Sequence, residues 1–172
     1  VLKSADRYLR FVFLTGVTKF AQVSVFSDLN QLNDISLDYD YATLCGITHA
    51  ELVDNRTPEL EQLGQMQSLS REGTVEAMVL QYDGYHFGTG LIDIYNPFSL
   101  LNAFISKRIS DYWFQSGTPT YLVRLLRHTR ENLDEMTGRY YRTPEFVDYK
   151  ADVEKPLPMI YQSGYLTIKA YD

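Results

Sequence analysis

The sequence predicts a mainly helical α/β fragment with one sheet strand and a C-terminal helix–strand unit. Of its 172 residues, 45% are hydrophobic and 22% are charged, which is typical of a globular chain and not of a disordered one. Residues 10–17, RFVFLTGV, form an apolar run whose aromatic residues and Val12 favour a strand buried on both faces. Much of the remaining chain carries helix start signals followed by apolar residues at helical spacing.

The first segment of the chain pairs a helical pattern with this strand. Residues 1–9 place Leu2, Ala5 and Leu9 at helical spacing. A helix followed by a buried strand is typical of a parallel α/β sheet, yet the pattern occurs only once, and one strand cannot form a sheet. The chain also begins at Val1 without a methionine. We therefore expect a piece of a longer protein, in which the strand pairs with strands from elsewhere, with an improvised partner or with a second copy.

Three helices are predicted in the middle of the chain. Thr48 and Glu51 form a capping-box pattern at the start of the first helix. Pro58 suits the first turn of a second helix that runs through Gln67. Residues 71–82 carry apolar side chains on one face and predict an amphipathic helix.

The second half alternates turn signals with short elements. The glycine-rich segment 85–95 predicts a small hairpin. The later elements are, in order, a helix opened by Asn96 and Pro97, a helix over 119–128, a polar loop with a short helix over 130–156, a helix from Pro156 to Gln162 and a strand over 165–171.

Composition excludes several functional classes. Sixteen basic residues against 22 acidic ones give a net charge of −6, which disfavours a whole-surface grip on nucleic acid. No uncharged run approaches the ~18–20 residues that a membrane-spanning helix needs. Cys45 is the single cysteine, so no intrachain disulfide can form, which fits the cytoplasm. Cys45 itself is either a small core residue or, with a nearby histidine, a nucleophile.

The histidines and carboxylates offer one candidate site. His49, His86 and His128 lie 37 and 42 residues apart, without the spacing of paired metal ligands, so no metal site is expected. Asp83, His86 and Asp93 fall within one short loop region. A carboxylate–histidine pair there could serve acid–base chemistry. The alternative is that Asp83 and Gly84 make a turn while the neighbouring aromatic residues pack.

Small basic clusters offer a second kind of candidate. On a helix, Arg124, Arg127 and His128 share one face, which could meet phosphate groups or simply face solvent. The clusters are Lys107–Arg108 and the set Arg124, Arg127, His128 and Arg130.

Thr15 closes the predicted strand 10–16. In open α/β sheets, ligands gather at the carboxyl ends of strands, where a hydroxyl can orient water or contact a phosphate. The alternative is an ordinary turn residue at the end of a strand.

Six motifs in order resemble one protein family along residues 1–172. They are RFVFLTGVTKFAQVSVFSDLNQLNDISL, YATLCGIT, QYDGYHF, YNPFSLLNAF, YWFQSGTPTYLVRLL and QSGYLTI. They resemble the AAA-ATPase-like family of bacteria, in which a P-loop ATPase domain is often followed by a nuclease-like domain of the PD-(D/E)XK type.

The resemblance implies a place for this chain within a larger protein. It puts the Walker A loop and the Walker B strand before Val1 and the nuclease-like domain after Asp172. Residues 1–38 would then complete the ATPase core, 39–130 would form a helical lid, and 131–172 would form a polar loop with a winged-helix-like unit. The implied parent is a nucleotide-controlled switch for the nuclease-like domain.

The resemblance also implies the roles of single residues. Thr15 would be the sensor beside the γ-phosphate, and Gly117 and Pro119 would lie on the adenine side of the lid. ATP and Mg²⁺ would bind the parent, whereas this chain alone would bind neither tightly and would have no activity. Its partners would be the missing Walker-containing half and the nuclease-like domain, with no membrane and no nucleic acid bound by this part.

A non-enzymatic interaction module is the alternative function. Eleven of the 14 tyrosines lie from Tyr82 onward, and tyrosine is favoured at interfaces. They could equally surround a small core with their hydroxyl groups in water. A nucleic-acid binder is disfavoured because residues 130–156 hold seven acidic and five basic side chains.

Overall fold

The computed structural model describes residues 6–16, 33–115, 118–129, 132–147 and 156–172, and this part of the chain is mainly helical, as predicted. Its α-helices are α1 (His49–Asn55), α2 (Thr57–Gln67), α3 (Arg71–Tyr82), α4 (Pro97–Ser106), α5 (Thr118–Thr129), α6 (Leu133–Met136), α7 (Thr143–Val147) and α8 (Leu157–Gln162). Short 3₁₀ helices cover Asp6–Tyr8, Tyr39–Tyr41 and Tyr112–Gln115. Within these residues, no helix combines the length and the apolar character needed to cross a membrane.

Local side-chain signals fix where the helices begin. The Thr48 hydroxyl accepts a hydrogen bond from the Glu51 amide, and the Glu51 carboxylate accepts one from the Thr48 amide at 2.9 Å, which confirms the capping box of α1. Asn96 caps α4 in a similar way, because its side-chain oxygen accepts from the Ser99 amide at 3.0 Å. Each cap satisfies backbone N–H groups that the first helical turn leaves unpaired.

A two-stranded antiparallel sheet joins β1 (Ile47–Thr48) to β2 (Ile94–Tyr95), with Ile47 opposite Tyr95. Tyr85 bridges Ile94 through two backbone hydrogen bonds of 3.3 and 3.1 Å. This bridge confirms that the predicted hairpin over 85–95 folds back on itself. The pairing with β1 was not predicted.

The predicted strand 10–16 is not confirmed. Residues 11–16 lie outside any helix or strand, and their side chains are exposed. The physical reason is that a strand needs a neighbour to pair its backbone groups, and none of the described residues pairs with this segment. The parallel sheet is accordingly not seen in the described residues.

The predicted C-terminal strand over 165–171 is not confirmed either. Helix α8 forms, but residues 165–171 make no strand pairing. Thr167 and Ile168 instead accept hydrogen bonds from His86. Helix α8 is therefore present, but the winged-helix-like unit is not confirmed.

The described residues divide into two compact units, each with its own core. One, the 34–119 unit, also includes residues 167–172, and the other, the 120–166 unit, also includes the residues before 34. The core of the 34–119 unit consists of Leu52, Leu60, Leu63, Met78, Tyr82, Tyr95, Leu100, Ala103 and Tyr112. The core of the 120–166 unit consists of Leu122, Leu125, Met136, Met159 and Ile160. The division at 38 and 130 that the resemblance implies stays a prediction.

Candidate functional site

The resemblance assigns nucleotide contacts to Thr15, Gly117 and Pro119. Thr15 is exposed in the segment 11–16. Pro119 is the second residue of α5, and Gly117 lies outside the described residues. Their contacts with nucleotide stay predictions.

The structure does bring His86 and Asp93 together. The Nε2 atom of His86 lies 2.6 Å from a carboxylate oxygen of Asp93. The Nδ1 atom of the same ring lies 2.5 Å from the backbone oxygen of Ile168, and the His86 amide donates to the Thr167 hydroxyl at 2.8 Å. The His86 side chain is only 9% exposed, whereas that of Asp93 is 59% exposed. The predicted carboxylate–histidine pair therefore forms, but both ring nitrogens of His86 already have protein partners.

Asp83 closes α3 at the point where the chain leads into this loop. Its amide donates to the Val79 carbonyl at 3.1 Å, and its carboxylate accepts from the Gly84 amide at 2.8 Å. Gly84 takes a positive φ of 101°, which side chains with a Cβ rarely adopt, so this connection depends on glycine. Burial raises the pKa of Asp83, and the nearby charge of Asp93 raises it further. Residues 83 and 84 connect α3 to Tyr85, but neither lies in a hydrogen-bonded turn or a bend, so the predicted turn is not confirmed.

Sequence reasoning missed a second histidine contact in the same unit. The Nδ1 atom of His49, the first residue of α1, lies 2.8 Å from the Tyr95 hydroxyl. Tyr95 is fully buried, and burial raises the pKa of its phenol, with further raising contributions from Asp83 and Asp93. The phenol therefore keeps its proton, and its hydroxyl forms a hydrogen bond with Nδ1 of His49. The capping box places His49 at the start of α1, but only the β1–β2 pairing brings it to Tyr95.

A groove beside His49 lies between α1 and α3. It is lined by His49, Val53, Arg71, Glu72, Val75 and Glu76. Arg71 is held in place there, since it donates to the Val53 carbonyl at 3.1 Å and to the Thr57 hydroxyl at 3.2 Å. The groove thus places the positively charged Arg71 beside two carboxylates, Glu72 and Glu76. This mixture favours neither an anionic nor a cationic ligand.

Three tyrosines of the predicted lid serve as core residues. Tyr82, Tyr95 and Tyr112 are at most 5% exposed. The Tyr82 hydroxyl donates to the Ser110 carbonyl at 2.8 Å and accepts from the Ser110 amide at 2.9 Å. Burial raises the pKa of Tyr82, so its hydroxyl stays a donor. These three rings therefore do not form the tyrosine-rich surface proposed from the sequence.

The remaining sequence candidates are exposed, except that Arg130 lies outside the described residues. Cys45 is exposed, so the expectation of a core cysteine is wrong, because the loop before β1 leaves its side chain outside the core. Arg124, Arg127 and His128 are exposed on α5, with Arg127 and His128 in the last turn, where cations suit the helix dipole. In the part of the chain that the structure describes, no three His, Cys, Asp or Glu side chains group as metal ligands.

Comparison with known proteins gives one informative match. An uncharacterized protein encoded in the vnfD 5′ region of Azotobacter chroococcum mcd 1 is 36% identical over 168 residues, which is 98% of this chain and 30% of that protein. No protein-family profile and no solved structure matches the chain. The chain thus spans about 30% of the length of the curated relative it matches.

Proposed function

We propose that this chain is the sensor-strand and lid portion of a P-loop ATPase-like protein of the cytoplasm, in which bound nucleotide controls a nuclease-like domain. The observation that carries the proposal is the exposed apolar segment that ends at Thr15. Phe11, Phe13 and Leu14 are 82%, 48% and 44% exposed. Contiguous exposed apolar side chains usually mark a surface that another element covers. Strands of an ATPase sheet would cover this one.

The length of the relative supports the same proposal. Because the chain matches only 30% of that protein, a longer protein has room for the Walker-containing half and for the nuclease-like domain. Phosphoryl transfer depends on a backbone cradle, a lysine and Mg²⁺ ligands that neutralise charge. Residues 11–16 offer one exposed hydroxyl, on Thr15, and no charged group. The residues of this chain therefore fit an accessory role, and the missing half would hold ATP and Mg²⁺.

Calorimetric titration with ATP and Mg²⁺ tests the proposal on two proteins. We expect no micromolar binding by this chain alone, because its sequence contains no GxxxxGK[ST] motif, whose backbone and lysine hold the phosphates. In a longer protein that contains the chain, we expect ATP hydrolysis, and replacing Thr15 with alanine should slow it on the order of 10²-fold, as for other transition-state donors.

Thr89→Ala is the matched control for Thr15→Ala, because Thr89 is also an exposed threonine outside any helix or strand. It should leave hydrolysis unchanged. Micromolar ATP binding by the chain alone would contradict the proposal, and so would equal hydrolysis rates in the Thr15→Ala and Thr89→Ala proteins. Pairing of two copies through residues 10–16 is another way to cover the segment, and it would produce a concentration-dependent dimer in sedimentation.

A second candidate function is a protein-interaction module. It is supported by Tyr39, Tyr41 and Leu44, which are 59%, 46% and 55% exposed within six residues of one another. A photo-crosslinking side chain at position 41 should give one discrete adduct in cells. The same group at Met66, which is 64% exposed on α2, should give none. Matching adduct patterns at both positions would reject this function.

A further inference from the structure

His86 links the last residues of the chain to the loop that follows α3. Its amide donates to the Thr167 hydroxyl at 2.8 Å, and its ring Nδ1 lies 2.5 Å from the Ile168 carbonyl oxygen. The other ring nitrogen, Nε2, lies 2.6 Å from Asp93. We call residues 167–172 the C-terminal segment. One buried imidazole thus contacts both this segment and the hairpin.

The two ring contacts fix the number of protons on His86. A carbonyl oxygen can only accept, so Nδ1 must carry a hydrogen to bond Ile168. A neutral ring would then present the lone pair of Nε2 to the Asp93 carboxylate, and two acceptors would face each other. Asp93 is 59% exposed, so solvent reaches its carboxylate. Only the doubly protonated, cationic ring donates to both partners.

The surroundings also favour a cation at His86. The charge of Asp93 raises the pKa of Asp83, and the interaction of Asp83 with His86 lowers it. Tyr95 is uncharged because burial raises the pKa of its phenol. His49 bonds Tyr95 on the α1 side. On the C-terminal segment, the Lys169 amine lies 3.8 Å from the position that a Cβ on Gly84 would occupy. The positive charge of Lys169 therefore partly offsets the two carboxylates, Asp83 and Asp93.

We propose that His86 is a proton-dependent latch that holds the C-terminal segment on the 85–95 hairpin. The cationic ring closes the latch through Ile168 and Asp93 together. When the ring loses its second proton, Nε2 and Asp93 repel each other, and the segment is released. Histidine side chains change charge between about pH 5 and 8, so the latch is closed at the acidic end of that range and opens as the pH rises.

Hydrogen exchange and nitrogen NMR of the full chain test the latch. We expect both ring nitrogens of His86 to carry protons at about pH 5.5. Amide protection of the hairpin and the C-terminal segment, corrected for intrinsic exchange rates, should fall about tenfold by about pH 8, the loss expected for one charge-assisted hydrogen bond. An unprotonated Nε2 at the lower pH would overturn the proposal.

Asp93→Asn separates the latch from a merely structural contact. An asparagine amide can donate to the lone pair of neutral Nε2, so both ring nitrogens of an uncharged His86 find partners. Protection in this variant should become independent of pH. Because Asp93 is largely exposed, this isosteric change leaves the core intact. An unchanged pH dependence in Asp93→Asn would overturn the proposal.

Two further variants complete the test. His128→Gln changes an exposed histidine on α5 and should keep the full pH dependence of the wild-type chain. Thr167→Val removes the hydroxyl that accepts from the His86 amide. It should lower the protection of that amide at every pH while the pH dependence of the segment persists. Loss of the pH dependence in His128→Gln would assign the proton to another group and would reject the latch.

Discussion

Replacing Leu60 with alanine is expected to lower the free energy of unfolding of the 34–119 unit by about 2–5 kcal/mol. Leu60 is fully buried on α2, in the core that also contains Leu63 and Met78. The loss combines the transfer of apolar surface out of water with a cavity that closely packed neighbours fill only in part. Urea unfolding followed by fluorescence measures it, because Trp113 is the single tryptophan and packs against this core.

Leu80→Ala is the control for this prediction. Leu80 is 89% exposed on α3, so the same change of side chain should shift the free energy of unfolding by no more than about 0.5 kcal/mol. If Leu60→Ala and Leu80→Ala had the same unfolding midpoint, the core assigned to the 34–119 unit would be wrong.

Replacing Gly46 with alanine is expected to cost about 1–3 kcal/mol of unfolding free energy. A Cβ on Gly46 would lie 2.7 Å from the Cβ of Ile94, which is 1% exposed in β2. Because Ile94 pairs with Thr48 and bridges Tyr85, it can yield only by disturbing both pairings. Thermal unfolding by circular dichroism should show a lower midpoint.

Gly73→Ala is the matched control, and its effect on the free energy of unfolding should have the opposite sign. Gly73 lies within α3, and a Cβ there would meet its nearest neighbour, the Ser70 hydroxyl, at an ordinary 3.5 Å. Alanine is the better helix former by about 1 kcal/mol, so this variant should be slightly more stable than the wild type. Destabilisation by Gly73→Ala, or stabilisation by Gly46→Ala, would contradict the packing described for these glycines.

Helix positions could be predicted because their signals are local. Thr48 and Glu51 lie three residues apart, and both contacts of their capping box form within one turn. Asn96 and Pro97 likewise mark the start of α4 by themselves. Strands do not share this property, since the apolar run ending at Thr15 can pair only with residues that the local pattern does not identify. For that reason α1–α4 were predicted and the state of residues 10–16 was not.

The candidate site could be predicted only where its residues lie close together in the sequence. Asp83, His86 and Asp93 lie within 11 positions, so the hairpin that follows α3 is enough to place His86 beside Asp93. The contact of His86 with Ile168 spans 82 positions, and that of His49 with Tyr95 spans 46. Neither partner has a sequence pattern that points to the other, because a backbone carbonyl and a buried phenol carry no spacing signal.

The placement of residues 167–172 in the 34–119 unit has a consequence for synthesis of the chain. Neither unit is one continuous stretch of sequence, so the 34–119 unit cannot be completed while only its first part has left the ribosome. Helices α1–α4 and both strands are available early, but the oxygen that His86 contacts on Ile168 is made after the whole of the 120–166 segment. During translation His86 therefore lacks its contacts with Thr167 and Ile168 until those two residues have been made.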